Sequence, residues 1–287
     1  MNDAHKFERT VLREYDIRGI VGKTLSEADA RAVGRSFGSH VARKGGRRVA
    51  VGYDGRLSSP LLAAALVEGL MACGLEVIRI GIGPTPMLYF SVRSLELDGG
   101  VMVTGSHNPP EYNGFKMMLG KASFWGEDIQ ALGRMAEKGD FVSGSGQVRD
   151  RPMLASYVDR LYQEYQHALP RRPRPLTVVW DGGNGAAGQA MADITSRLPG
   201  RHILLNEKID GSFPAHHPDP TVAANLVQLQ EKVRAERADM GIAFDGDGDR
   251  IGVVDGQGRI LWGDQLLVLL GRDVLRERPG STIIADV

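Results

Sequence analysis

Apolar runs separated by polar, glycine-rich turns recur along the chain at the spacing of alternating strands and helices. Residues 47–52, RRVAVG, read as a buried strand followed by the polar loop YDGRLSS. The next stretch, PLLAAALVEGLMACG, has helical periodicity, with Ser59 expected as N-cap, Pro60 at the first helical position and Gly74 at the stop. EVIRIG (76–81) is expected as the next strand. The same grammar returns at 176–206, LTVVWDGGNGAAGQAMADITSRLPGRHILLN: strand, Asp-Gly loop, helix, strand. Two βαβ units at separate places imply parallel sheets and two related domains.

Further on, DPTVAANLVQLQEKVRAERA predicts a helix with Thr221 as N-cap and Leu226, Leu229 and Val233 on one face. MGIAF (240–244) follows as a strand, and IGVVDGQGRILW as a hairpin turning at Asp255-Gly256. The flexible composition of GDFVSGSGQVRDRP (139–152) marks a domain boundary, and LPRRPRPL (169–176) a solvated, proline-stiffened connector. The expected fold is α/β, with tandem related three-layer domains and mixed, largely parallel sheets. The domains are expected over 1–150 and 151–258, with 259–287 opening a third. That last segment comprises a helix, GDQLLVLLGRDVLRERPG, and a buried strand, STIIADV, with too little around them to bury their faces. The expectation is the front part of a longer protein.

Composition narrows the function classes. The 287 residues are 42% hydrophobic and 24% charged, as in ordinary globular proteins. Lys plus Arg equals Asp plus Glu at 35 each, so no global field points to nucleic acid or to an acidic membrane, and any anion site must be local. A single cysteine, Cys73, excludes an internal disulfide framework and suits a reducing compartment. The N-terminus lacks a signal-peptide core, and Glu68 interrupts the longest apolar stretch. These features lead us to expect a cytoplasmic protein without nucleic-acid or membrane partners; they give no indication of oligomeric state.

Three stretches could carry chemistry. Gly183 to Gly188, GNGAAG, is a literal G-x-G-x-x-G between a strand and a helix, with Glu207 near the place of a ribose-binding acid. Alone it suggests a nicotinamide-dependent oxidoreductase, although Asp181 and Gly182 separate it from the strand. FDGDGDR (244–250) places Asp245, Asp247 and Asp249 at alternate positions, which in an extended segment share one face. Carboxylates that close repel unless a cation sits among them, and hard oxygen ligands suit Mg²⁺ or Ca²⁺. An EF-hand does not fit: its sixth position is Arg250 and its twelfth Gly256.

The third stretch is TGSHNPPEYNGFK (104–116). Its structural explanation is a proline-fixed turn whose Ser and Asn satisfy backbone groups. As a neighbour in sequence, His107 is expected to point away from Ser106 and so to be badly placed as its base, and no G-x-S-x-G elbow is present. A phosphorylated serine, however, is a phosphoryl donor that would seek a divalent metal and basic groups. Arg250, Lys116 and Arg18, the last just before an expected glycine turn in YDIRG, supply those groups.

Together these residues resemble the α-D-phosphohexomutases, and within them the bacterial phosphomannomutase/phosphoglucomutase enzymes. The resemblance runs through YDIRG, GYDGRLS, PTPMLYF, TGSHNPPEYNGFK, DGGNGAAG, FPAHHPDP, AFDGDGDRIGVV and IIADV. It implies that Ser106 is a phosphoserine and that Asp245, Asp247 and Asp249 bind Mg²⁺ together with its oxygen. It implies that Arg18, Lys116 and Arg250 surround the phosphoryl group, with Tyr15, His107 and Asn108 close by and Lys116 transferring a proton at the sugar hydroxyl. The implied reaction interconverts hexose 1- and 6-phosphates through a 1,6-bisphosphate, with glucose 1,6-bisphosphate as the activator that loads Ser106. The resemblance also assigns the G-x-G-x-x-G loop to a repeated βαβ unit. The family's third- and fourth-domain loops, which contact the sugar and clamp the second phosphate, fall outside this chain, so the isolated chain is expected to be a poor mutase. A non-catalytic relative that binds sugar phosphates is the remaining alternative.

Overall fold

Strands that are apolar on both faces need helices on both sides, and the order of elements supplies them. The computed structural model describes residues 4–168 and 174–285. The first half runs β1 (Ile17–Ile20), α1 (Glu27–Arg43), β2 (Arg48–Tyr53), α2 (Ser59–Met71), β3 (Glu76–Ile82), α3 (Thr85–Ser94), β4 (Gly99–Val103) and β5 (Tyr112–Leu119). It closes with β6 (Ala122–Phe124), α4 (Glu127–Lys138) and β7 (Gln147–Asp150). These strands form one sheet in the order β1-β5-β4-β2-β3-β7, with the short β6 also paired to β5. The centre, β4, β2 and β3, is parallel and continues into β7; β5 and β1 extend the other side antiparallel.

Alternation along β2 sets the layers. Val49 and Val51 join a core with Phe37 of α1, Leu62 and Leu66 of α2 and Leu132 of α4. Ala50, between them, belongs to the opposite core with Met87, Leu88 and Val92 of α3. The parallel centre is therefore sandwiched, as its near-continuous apolar runs require.

The second half runs α5 (Leu154–Ala168), β8 (Leu176–Asp181), α6 (Gly188–Thr195), β9 (Gly200–Leu205), α7 (Val227–Glu236), β10 (Met240–Phe244), β11 (Ile251–Asp255), β12 (Ile260–Leu261) and α8 (Gly263–Glu277). Its sheet has the order β12-β11-β10-β8-β9, parallel among β8, β9 and β10 and antiparallel beyond. Leu226, Leu229 and Val233 pack on Val179, Ala243 and Val254, so the apolar face expected of that helix is the buried one. The strand–loop–helix–strand order is thus used twice, on two mixed α/β sheets.

Several local expectations change. Ser59 lies inside α2 and donates to Asp54 Oδ1 at 2.5 Å instead of capping, because that buried carboxylate is the stronger acceptor. Thr221 caps no helix: its hydroxyl and amide are both engaged by Asp219, and a 3₁₀ turn over Ala223–Leu226 precedes α7. Gly19 sits within β1 rather than at a turn, paired with Asn113 of β5. The expected boundary at 139–152 contains β7, since an edge strand needs ladder bonds on one side only and tolerates polar side chains on both faces. No helix is expected at 27–43, yet α1 forms there, its N-terminus closed by a capping box between Ser26 and Asp29.

Of the connector, residues 169–173 lie outside the described residues, and Arg174 pairs with Asp239. The helix expected near the end is α8, with Val268, Leu269 and Leu270 exposed. Residues 281–285 form no strand and pair with none of the described strands, and 286–287 lie outside the described residues. No described helix is long and apolar enough to cross a membrane.

Asp181, at the end of β8, accepts from the Gly183 amide, the Asn206 side chain and His216 Nε2, all within 2.8–2.9 Å. The other ring nitrogen of His216 faces the His217 carbonyl at 3.0 Å. Both neighbours are acceptors, so only the doubly protonated ring satisfies both. The bond to Asp181 therefore holds the His216 pKa above its ordinary 6.5, against the opposing effect of burial. A raised folded pKa contributes stability that is complete below the unfolded value and lost as pH rises through the folded one. His216→Gln should accordingly cost more stability at about pH 6 than at about pH 8.5 in urea unfolding. An equal cost at both would mean the ring is neutral in the folded protein.

Candidate active site

Two loops leave the ends of central strands and meet. Residues 104–111 follow β4, and residues 245–250 join β10 to β11. Their backbones touch: a Cβ on Gly246 would lie 2.3 Å from the Ser106 carbonyl oxygen, so only glycine fits there. Ser106 itself is fully buried, with φ at +52°, a left-handed conformation uncommon for a residue with a side chain. Its Oγ lies 3.1 Å from Asp245 Oδ2 and 3.2 Å from His107 Nδ1.

The last contact corrects the expectation that His107 points away. Side chains of sequence neighbours diverge in extended or helical backbone, but the left-handed turn at Ser106 brings the next side chain back. Burial, with Arg250 nearby, lowers the His107 pKa, so the ring is a neutral imidazole at physiological pH.

The three aspartates converge as expected, with ligand oxygens all within 4.8 Å of one another. They do so on a tight turn rather than an extended strand. Asp245 Oδ1 accepts the amides of Asp249 and Arg250 at 3.0 Å each, which folds the loop back on itself. Asp247 Oδ2 accepts from Thr85 at 2.6 Å, Lys116 at 2.7 Å and Thr104 at 3.2 Å, while its buried Oδ1 has no partner among the described residues. Lys116 also bonds Asp249. Burial, reinforced by repulsion from Asp247 and Asp249, holds Asp245 well above the usual carboxylate range. Burial alone would lower the Lys116 pKa, but the two carboxylates outweigh it and keep the ammonium charged. The same ammonium outweighs the burial that would raise Asp247, and lowers it.

A cleft of about 820 Å³ opens beside this centre, lined by Tyr15, Arg18, His107, Lys116, Asp249 and Arg250 among others. Every remaining residue expected from sequence is thus at one place. Arg18 bonds both Asp16 and Asn108, and its Nε is buried without a partner among the described residues. Tyr15 stands at the rim, largely exposed.

The Gly183–Gly188 loop has another task than holding a dinucleotide. The amides of Gly183, Asn184, Gly185 and Ala186 all bond within the protein, to Asp181, Asn206, Gly182 and Gly246 respectively. A pyrophosphate would have to displace these bonds. The loop instead buttresses the acidic loop through Gly246.

Sequence reading missed Asp54, Arg56, Thr85 and Thr104. Asp54 and Arg56 are both 1% exposed and hold the serine loop. Their signal was the Asp-x-Arg directly after a buried strand, which reads as a polar loop until burial is known. Thr85 starts α3 and binds Asp247 through both its hydroxyl and its amide, a contact across 162 positions of chain.

Paired α/β units thus press a serine loop against an acidic loop. Residues 9–143 match the model of phosphoglucomutase/phosphomannomutase alpha/beta/alpha domain I, and residues 155–258 that of domain II. The chain is 46% identical over 278 residues to a phosphomannomutase/phosphoglucomutase of Pseudomonas aeruginosa, covering 97% of this chain and 59% of that one. It is 42% identical to a phosphoglucomutase of Neisseria gonorrhoeae, with 97% and 60% covered. A crystal structure of a phosphoglucomutase/phosphomannomutase family protein from Burkholderia thailandensis superposes with a TM-score of 0.90 at 42% identity, covering 96% of this chain and 61% of that one. The chain belongs to the phosphoglucomutase/phosphomannomutase family. It spans about three fifths of the length of the curated relatives it matches.

The Gly246 contact is open to test. Gly246→Ala should cost about 1–3 kcal/mol in urea unfolding, as overpacking does in a filled interior. Unchanged stability would mean that the two loops can part freely.

Proposed function

We propose that this chain carries the phosphoryl-transfer machinery of a hexose-phosphate mutase, with Ser106 as the group that accepts and returns the phosphoryl. The observation that carries this reading is the Ser106 hydroxyl 3.1 Å from Asp245, inside a centre that gathers cations and an unpaired guanidinium N–H. The names of the relatives, phosphomannomutase and phosphoglucomutase, support mannose and glucose phosphates as the substrate class.

The residues fit a divalent metal. Three carboxylates converge, and the buried Asp247 Oδ1 lacks any partner, an arrangement that a cation would satisfy. Asp245, Asp247 and Asp249 would hold Mg²⁺ with the serine oxygen, and its charge would offset that of the phosphoryl oxygens.

When Ser106 is loaded from a hexose 1,6-bisphosphate, a bond forms between Ser106 Oγ and phosphorus while the bond from phosphorus to the sugar oxygen breaks, leaving a hexose monophosphate. The serine proton passes to the neutral His107, and the departing sugar oxygen takes a proton from the Lys116 ammonium. Reversal returns each proton and gives the phosphoryl group to the free hydroxyl of a hexose monophosphate, so that a 1,6-bisphosphate forms and its other phosphoryl group reloads the serine. Arg18, with its unpaired Nε, and Arg250, at the cleft wall, supply positive charge to the oxygens in transit. Tyr15 stands at the rim, and Asn108 orients Arg18 by accepting from its guanidinium. Such chemistry rests on positioning and charge more than on covalent work by the protein.

The direct test is the intact mass of the chain before and after glucose 1,6-bisphosphate with Mg²⁺. A gain of one phosphoryl group, absent in Ser106→Ala, is expected. No gain in unphosphorylated wild type would leave the non-catalytic sugar-phosphate binder as the better reading.

The metal site has its own readout. Mg²⁺ should raise the melting temperature of the wild type and leave Asp247→Ala unmoved; at a concentration 100 times its dissociation constant the stabilisation is about 2.7 kcal/mol. An equal rise in both would place the metal elsewhere.

A further inference from the structure

We propose that Arg56 is the positioning residue of the serine loop: one buried guanidinium gathers the backbone carbonyls of Ser106, Asn108, Pro109 and Tyr112 and thereby aims the Ser106 hydroxyl. Its kinetic consequence rests on the phosphoryl-transfer reading above; its geometry does not.

Every N–H of this guanidinium is used. Nη2 donates to Ser106 O at 2.8 Å and Asn108 O at 2.6 Å, and Nη1 to Pro109 O at 2.6 Å and Tyr112 O at 3.0 Å. Nε donates to Asp54 Oδ2 at 3.2 Å. A guanidinium has five donors in one plane, so four carbonyls and a carboxylate exhaust it. No other side chain could make this set: an ammonium has three donors and no fixed plane.

The consequence falls on Ser106 because both peptide planes beside its Cα are held. The preceding plane is fixed by the Ser106 amide, which donates to Thr104 Oγ1 at 2.8 Å. The following plane is fixed by the Ser106 carbonyl on Arg56. One residue upstream, the Gly105 amide donates to Asp54 Oδ2, and Asp54 also accepts the Arg56 amide and the Ser59 hydroxyl. A left-handed backbone at a serine is sparsely populated and persists only when its surroundings determine it. Here Asp54, Arg56 and Thr104 determine it, and the conformation they hold points Oγ at Asp245 and His107.

The same guanidinium meets the second half of the chain. Its central carbon lies 5.1 Å from the Phe213 ring centre, and a Cβ on Gly211 would stand 2.8 Å from Arg56 Cα. The clamp is therefore roofed by residues that precede the acidic loop, which shields its hydrogen bonds from water.

The test compares wild type with Arg56→Lys, which keeps the charge but not the fork, and Arg56→Met, which keeps neither. Phosphoryl loading of the full chain from glucose 1,6-bisphosphate with Mg²⁺ gives the rate, and amide hydrogen exchange gives the geometry. In Arg56→Lys, exchange over residues 105–112 should quicken at least about tenfold, the equivalent of one lost charge-assisted hydrogen bond, while that of β8 and β10 stays unchanged. The loading rate at saturating donor should fall about 100-fold, as for a displaced nucleophile, with donor half-saturation altered by less than about threefold. Arg56→Met should be worse on both counts. Wild-type loading in Arg56→Lys would overturn the proposal, and so would faster exchange spread evenly over β8 and β10, which marks a general loss of stability. Should the wild type itself take up no phosphoryl group, the functional reading fails and exchange alone decides: a loosened 105–112 upholds the clamp, and an unchanged one refutes it.

Discussion

Three carboxylates with oxygens within 4.8 Å of one another repel, and the surroundings of the centre follow from the need to offset that repulsion. Lys116 reaches two of them, Asp247 and Asp249, from β5, and Thr85 and Thr104 donate to Asp247. The Asp249 and Arg250 amides curl onto the third acid, Asp245, whose remaining oxygen meets Ser106. A charged cluster placed at random would swell the loop into solvent. Here Asp245 and Asp247 are buried while Asp249 faces solvent, and the residues that hold the cluster come from both halves of the chain.

That arrangement explains why the two halves of the chain are joined as they are. β4 ends in the serine loop and β10 in the acidic loop, so the parallel centres of the two sheets deliver their strand ends to one place. This is where open α/β sheets ordinarily present ligand sites. The Gly183–Gly188 loop and the tie between Asp181 and His216 then support the acidic loop from behind, through Ala186 on Gly246. A glycine-rich turn that looks like a nucleotide cradle is thus used as a backbone-to-backbone buttress.

Much of the fold was legible. The strands at 47–52, 76–81, 176–181 and 240–244 announce themselves as apolar runs, and α2 and α7 by their periodic faces. What was not legible depended on competition between nearby groups. Ser59 and Thr221 look like caps, but a stronger acceptor, Asp54 or Asp219, lies within reach of each. β7 looks like a linker because an edge strand with polar side chains differs little from a loop until its partner is known.

The proposed chemistry was legible in the sequence by itself: serine, lysine, arginine and a spaced aspartate trio are residue types that together point to a phosphate and a cation. Local pattern could also say that the acidic stretch joins two strands. Only the tertiary structure decided that His107 turns back to its neighbour, because that depends on one backbone angle. It alone decided that Arg56, on a loop that reads as polar, is 1% exposed and bound to four carbonyls. Burial and hydrogen-bond partnership are properties of distant segments brought together, and no local pattern of residues encodes them.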